Sequence, residues 1–217
     1  MLLLSPATRL SPRVGLPLRR KLTVAVVGID GAGKTTAASH LAADAADAGW
    51  PAQFIKNPSG RRWLSRLQAR LGITVPARLL DGLETAVRTG TVLRSTASAE
   101  RFAGLTVMDR HLACQSVLRE VRGLPAGRWL PALHRVLARR AGTGRRFGGP
   151  DVVVLLDVDP VTALERITAR GEDSERLEHL RAAREAYLRR AEAEGWTVID
   201  AIREAPEVLR DLRRAVL

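Results

Sequence analysis

Eight consecutive residues, Gly28-Ile29-Asp30-Gly31-Ala32-Gly33-Lys34-Thr35, fit the pattern G-x-x-x-x-G-K-[ST]. Such a loop binds polyphosphate. Glycines let the backbone curl so that successive N–H groups face phosphate oxygens, and a helix starting at its end adds partial positive charge. Lys34 is expected to reach the β- and γ-phosphates of a nucleotide, and the Thr35 hydroxyl to ligate magnesium. The nucleotide-contacting set is Gly28, Asp30, Gly31, Ala32, Gly33, Lys34, Thr35 and Thr36. A second pair, Asp109-Arg110, follows an apolar run. Its guanidinium could clamp a phosphate bidentately, and its carboxylate could hold a magnesium-bound water or receive a proton. For an acceptor that is already a phosphate, positioning and charge neutralisation matter more than base catalysis.

These groups need elements to hold them. Five short apolar runs, 22–27, 52–56, 105–108, 151–157 and 196–200, read as buried parallel strands, because two of them lack strict alternation and most are rich in β-branched residues. Helical periodicity lies between them. One helix is expected over 35–48, with Ala38, Leu41, Ala42 and Ala45 as a small-residue stripe, and another over 77–102, broken or weakened at Gly82 and Gly90. Asp159-Pro160 marks a further helix start, running towards Arg170. The last two are expected near 174–193, ending at Gly195, and after Pro206. Strands alternating with helices predict an α/β three-layer sandwich, a five-stranded parallel sheet flanked by helices. With the glycine loop placed between the first strand and helix, this is the P-loop NTPase arrangement. Sites in such sheets form at the carboxyl ends of strands, which puts Asp109 and Arg110 opposite the loop.

The bulk properties set limits. At 217 residues the chain suits one domain, expected over 21–217. Residues 1–20, with three prolines and four arginines, read as a flexible basic tail or an over-extended translation start. The segment lacks the charge-then-apolar order of a secretory signal. No apolar run reaches the ~18 residues of a membrane span, and the single cysteine, Cys114, suits a reducing cytoplasm. Net charge is +12, yet the arginines are interleaved with acids and aromatics make up only 4%, so no base-stacking platform exists. The charge reads as solvated helix faces, not a nucleic-acid surface.

The chain resembles the thymidylate kinase family of nucleoside monophosphate kinases. The resemblance rests on the loop from Gly28 to Thr36, on Met108-Asp109-Arg110-His111 and on the run from Pro150 to Val158. It continues through Glu165-Arg166 to Glu178, Tyr187-Leu188 and Val198-Ile199-Asp200-Ala201. It implies ATP as donor, magnesium as cofactor and a nucleoside monophosphate as acceptor; a homodimer is compatible with it. It implies that Asp30 approaches the substrate sugar, and that Lys56 keeps a positive charge at the end of the second strand. Arg88 is the counterpart of an arginine that reads the base, and Arg110 grips the acceptor phosphate. Phosphoryl transfer needs a cation around the transferring group's oxygens; the P-loop's variable positions hold no arginine, so the resemblance assigns that cation to a mobile lid near 166–178. Arg166, Arg170 and Arg176 are its candidates, with Arg170 and Arg176 nearest the lid loop. Metal ligation falls to Thr35 and Asp109.

Departures cluster around the acceptor. The family's Arg-Glu-Pro-Gly-Gly becomes Lys56-Asn57-Pro58-Ser59-Gly60, its stacking aromatic becomes Glu84, and the residues after Asp-Arg become His111 and Cys114. Its downstream Ala-Tyr-Gln becomes Val117-Leu118-Arg119. His111 reads as a tyrosine substitute beside the pocket, Cys114 as a small buried residue, and the basic stretch 139–149 as a surface connection. Two alternatives follow: the same donor chemistry with a modified nucleotide or another specialised acceptor, and a nucleotide-binding module without transfer.

Overall fold

Residues 21–57, 77–121, 123, 150–171 and 176–217 are described by the computed structural model. The basic tail, the loop 139–149 and lid residues 172–175 lie outside them. The strands are β1 Leu22–Val27, β2 Ala52–Lys56, β3 Leu105–Asp109, β4 Val152–Asp157 and β5 Thr197–Asp200. They form one sheet ordered β2-β3-β1-β4-β5, parallel throughout. β3 extends one residue beyond expectation to include Asp109, and Asp151 and Trp196 fall just before their strands. Asp151 is held at the start of β4 by its carboxylate, which accepts from the Thr23 N–H at 2.8 Å.

The helices are α1 Lys34–Asp47, α2 Ala77–Arg101, α3 Leu112–Val121, α4 Pro160–Ala169, α5 Leu177–Glu194 and α6 Ala205–Val216. α1 buries the predicted stripe of Ala38, Leu41, Ala42 and Ala45, and these small side chains let it lie close on the sheet. α4 begins where Asp159-Pro160 places it: the Asp159 carboxylate accepts from the N–H groups of Val161 (2.9 Å) and Thr162 (3.2 Å). α2 corrects one expectation. It runs unbroken through Gly82 and Gly90, because a helical glycine costs only about 1 kcal/mol against alanine and 25 residues spread that cost. α3 was not foreseen.

α1 and α6 pack together over one face of the sheet, while α5 contacts β4 and meets α3 and α4 over the other. The core between these layers includes Val24, Val26, Val107, Leu155, Leu156, Leu180 and Leu212, all essentially inaccessible. Burying each such side chain contributes roughly 1.5–3 kcal/mol, so this core anchors the strands whose ends carry the site. From β1 the chain crosses to β2 on one side, and from β3 it crosses to β4 on the other. The sheet therefore has its switch point at β1, and a crevice opens at the carboxyl ends of β1 and β3.

Candidate active site

Three strand ends converge on this crevice. β1 runs into the glycine loop, β2 ends at Lys56-Asn57 and β3 at Asp109-Arg110, with Lys56 in register with Asp109 and Val26 with Asp109 on the other side. The loop is shaped by close approach. Gly31 has φ +86, and a Cβ there would sit 2.4 Å from the Ala163 carbonyl; one on Gly28 would sit 2.5 Å from that of Leu156. Only glycine lets the loop pass so near β4 and α4.

Lys34, at the first turn of α1, is only 5% exposed. Its ammonium donates to the Ile29 carbonyl at 2.6 Å and lies 3.5 Å from Asp30 Oδ1. Burial, and next the positive charge of Arg110, push the Lys34 pKa down, against Asp30 and Asp109. A desolvated cation with such sparse compensation is poised to receive an anion. Beside it the Thr35 hydroxyl donates to Asp109 Oδ2.

Asp109 is 1% exposed, and its Oδ1 has no hydrogen-bond partner; Arg110 Nε is 4.0 Å away. An unfilled carboxylate oxygen next to a threonine hydroxyl is a pair of hard oxygen donors, which suits magnesium. That ion keeps several waters and takes its remaining ligands from substrate phosphates. No cluster of three or more His, Cys, Asp or Glu side chains suited to a metal occurs among the described residues.

Arg110 is the one non-glycine among the described residues with positive φ, +71. That conformation costs on the order of 1 kcal/mol and persists because neighbours fix it. Its N–H donates to the Val26 carbonyl at 3.1 Å, and its carbonyl accepts from Asn57 Nδ2 at 2.7 Å. The guanidinium pairs with Asp30 Oδ1. Burial works against its charge, but the anionic groups around it, Asp30 first, outweigh burial and hold the Arg110 pKa above its ordinary value.

These groups enclose a polar cavity of about 120 Å³, whose wall includes Asp30, Lys34, Thr35, Lys56, Asn57 and Asp109 together with Arg110 and Arg170. Gly31, Gly33 and Thr36 complete the loop side; Gly28 and Ala32 are buried behind it. A second cavity of about 510 Å³ adjoins the outer side of the loop, between Thr36, His40, Leu156 and the segment 201–205. Arg170, at the C-cap of α4, borders both cavities.

The other expected residues are distributed less simply. Arg176 occupies the N-cap of α5 and, among the described residues, is not part of either wall. Arg166 donates to the carbonyls of Ala201 (3.0 Å) and Ile202 (3.3 Å), so it braces the segment over the larger cavity and does not point at the phosphate site. Arg88 is half-buried on α2, outside the described wall. The side chains of Glu84 and Arg119 lie outside the described residues. His111 is buried at the start of α3, also off the described wall. Cys114 is buried, and the Tyr187 phenol is pushed well above its usual range, first of all by burial.

Asn57 was read from the sequence only as a departure on the acceptor side, without its contact to Arg110, and two features were not read at all: the larger cavity, and the fork of Arg184 onto Asp157 (2.7 and 2.8 Å), which fastens α5 to the end of β4. The paired Leu156-Asp157 and Ala201 strand ends were the available signal for the last two.

A glycine loop between β1 and α1 at a switch point, with a desolvated lysine and a threonine–aspartate pair, defines a nucleotide-binding protein of the P-loop class. Comparison with known proteins narrows this. Residues 94–212 match the family model described as Thymidylate kinase. A probable thymidylate kinase of Pyrobaculum calidifontis is 34% identical over 196 residues, covering 87% of this chain and 92% of that protein. A thymidylate kinase of Xanthomonas euvesicatoria pv. vesicatoria is 32% identical over 212 residues, covering 90% and 83%. A probable thymidylate kinase of Archaeoglobus fulgidus is 29% identical, covering 90% and 94%. Among solved structures, a deoxyadenosine kinase from M. mycoides with bound dATP superposes with a TM-score of 0.62 at 15% identity, covering 89% of this chain and 98% of that one; this likeness concerns the fold. The chain belongs to the thymidylate kinase family, and is an enzyme of nucleotide phosphoryl transfer. No helix among the described residues is long and apolar enough to cross a membrane.

Proposed function

We propose that this enzyme moves the γ-phosphoryl group of ATP onto the phosphate of a nucleoside monophosphate in the cytoplasm, releasing ADP and a nucleoside diphosphate. The observation that carries this reading is the meeting of Lys34, Thr35, Asp109 and Arg110 in one buried polar cleft. An oxygen of the acceptor phosphate attacks the γ-phosphorus, and the bond from that phosphorus to the β–γ bridging oxygen breaks, leaving ADP. A monophosphate dianion already carries the attacking electron pair, so no side chain need act as base.

Lys34 neutralises charge between the β- and γ-phosphates, and the loop N–H groups cradle them. Thr35 and Asp109 would hold magnesium, which neutralises phosphate charge and orients the oxygens when bound. Arg110 turns from Asp30 to the acceptor phosphate, leaving Asp30 free for the sugar, and Lys56 adds charge at the acceptor side. Arg170, standing between the two cavities, is the better placed of the lid arginines to reach the transferring group, with Arg176 dependent on lid closure. The larger cavity suits the donor's base and ribose, and Arg88 on α2 is the residue that would read the acceptor's base. The test is ADP release measured across nucleoside monophosphates, the matching nucleosides and buffer alone. Release with monophosphates only supports the reading; release with nucleosides, or equally in buffer, overturns it.

A further inference from the structure

Asn57 is 1% exposed, and two of its polar atoms are hydrogen-bonded while a third is not. Its backbone N–H donates to the Asp109 carbonyl at 3.2 Å. Its side-chain Nδ2 donates to the Arg110 carbonyl at 2.7 Å. Its side-chain Oδ1 is buried and accepts nothing. A buried amide with one end unsatisfied is unfavourable, and is kept where the other end does something a cheaper residue cannot. Here that end holds the carbonyl of the residue with positive φ.

The peptide groups of Arg110 are gripped from two directions: its N–H by Val26 at the end of β1, its C=O by Asn57 just past the end of β2. The first grip is backbone to backbone and would survive most substitutions. The second comes from a side chain. An aliphatic residue at 57 leaves the Arg110 carbonyl with no such donor. A carboxylate cannot donate either, and would join Asp30 and Asp109 in a cleft already holding two.

We infer that Asn57 is a positioning residue that locks Arg110 in its left-handed backbone conformation and so aims its guanidinium at the acceptor phosphate. The aiming role rests on the kinase reading above; the lock does not. The Asn57 side chain donates to Arg110 and not to Lys34 or Thr35, so its influence on the acceptor should exceed that on ATP.

Two measurements test this separately. A crystal structure of Asn57→Ala should show Arg110 out of the left-handed region and its contact with Asp30 lost; Arg110 unmoved would overturn the lock. Should the alanine variant fail to fold, the near-isosteric Asn57→Asp makes the same comparison. In kinetics, Asn57→Ala should raise acceptor KM about tenfold with ATP affinity within twofold of wild type. Adding it to Arg110→Ala should change little further, because both act through one guanidinium. Fully additive losses, or a loss confined to ATP affinity, would refute the aiming role. A wild-type protein that releases no ADP with any monophosphate would instead remove the kinase reading, while the crystallographic comparison still decides the lock.

Discussion

On the donor side of the cleft, the groups proposed to meet phosphate come from one run of residues, Gly28 to Thr36, held by a strand before and a helix after. On the acceptor side they come from two strand ends about fifty residues apart, Lys56-Asn57 and Asp109-Arg110, with Arg88 on α2 proposed for the base. The donor side is fixed by local backbone geometry, so it tolerates little change and is easily read. The acceptor side is fixed by side chains reaching across strands, so single substitutions can redirect it. Evolution of a new acceptor on an old donor site would follow that division, and the departures from the family pattern fall on the acceptor side.

The largest expected effect is on the donor side. Lys34→Met should lower kcat on the order of a thousandfold or more, since the lost charge stabilises the transferring phosphoryl group by several kcal/mol. The same variant should leave the melting temperature unchanged or raised without ligand, because burial lowers the Lys34 pKa and the charged form costs stability when folded. The sign follows from linkage: with the folded pKa below the unfolded value, the unfolded chain binds more protons between those two values, so wild-type stability gains from Lys34 as pH rises through that window. Turnover near wild type would take the loop out of the mechanism. A marked loss of melting temperature would mean that the lysine is structural.

Asp109→Asn should cost about a hundredfold in kcat and raise the magnesium concentration needed for half-maximal rate, as expected for loss of a charged oxygen near the metal. A magnesium titration unchanged by the substitution would detach Asp109 from the ion. Arg110→Ala should act on the other side of the cleft. It should lower kcat/KM for the acceptor by roughly ten- to a hundredfold, mostly through KM, with ATP binding nearly unchanged. If instead ATP binding weakens as much as acceptor binding, the two sides are not separable. Lid closure is a smaller effect: amide exchange over 166–178 should slow severalfold only when ATP and acceptor are both present, and equal protection in the free protein would remove the role given to Arg170 and Arg176.

How much of this was legible follows the same division. The strands could be read because each is a short apolar run between turn residues, and α4 because Asp159 and Pro160 are a local start signal. The loop could be read because its spacing alone dictates its backbone. α3 was missed: it begins at Leu112 straight after a strand, behind no capping residue, and is only 10 residues long. The continuity of α2 was misjudged because glycine propensity was weighed without the length that absorbs it. Arg166 is one of three arginines alike in sequence, and only the arrival of Ala201 and Ile202 over α4 shows that it braces that segment. The positive φ of Arg110 and the grip of Asn57 could not be read at all, since both arise where three strand ends meet.

The smallest effect sharpens the comparison most, because it asks how far the acceptor side has drifted. The resemblance puts Glu84 where the family pattern has an aromatic ring that stacks on the base, and on that reading a carboxylate cannot supply the ring contact. Aromatic pairing contributes about 0.5–1.5 kcal/mol beyond area burial, and 1.36 kcal/mol corresponds to tenfold in rate. Loss of the ring should therefore cut discrimination for thymine by up to about tenfold, while the phosphate grip of Arg110 is kept. Thymidylate should then be turned over without strong preference, and another monophosphate should equal or exceed it. The phosphate itself should matter far more than the base, so each monophosphate should outrun its nucleoside by a wide margin. Glu84→Phe should restore part of the lost preference, raising kcat/KM for thymidylate severalfold relative to the other monophosphates. Steady-state kinetics with the thymidine, uridine, cytidine, adenosine and guanosine monophosphates on both proteins decide it. A wild-type enzyme already favouring thymidylate by a hundredfold or more would show that the acceptor side has kept its original specificity by other residues. The two sides of the cleft would then be equally conserved in function, however unequal in sequence.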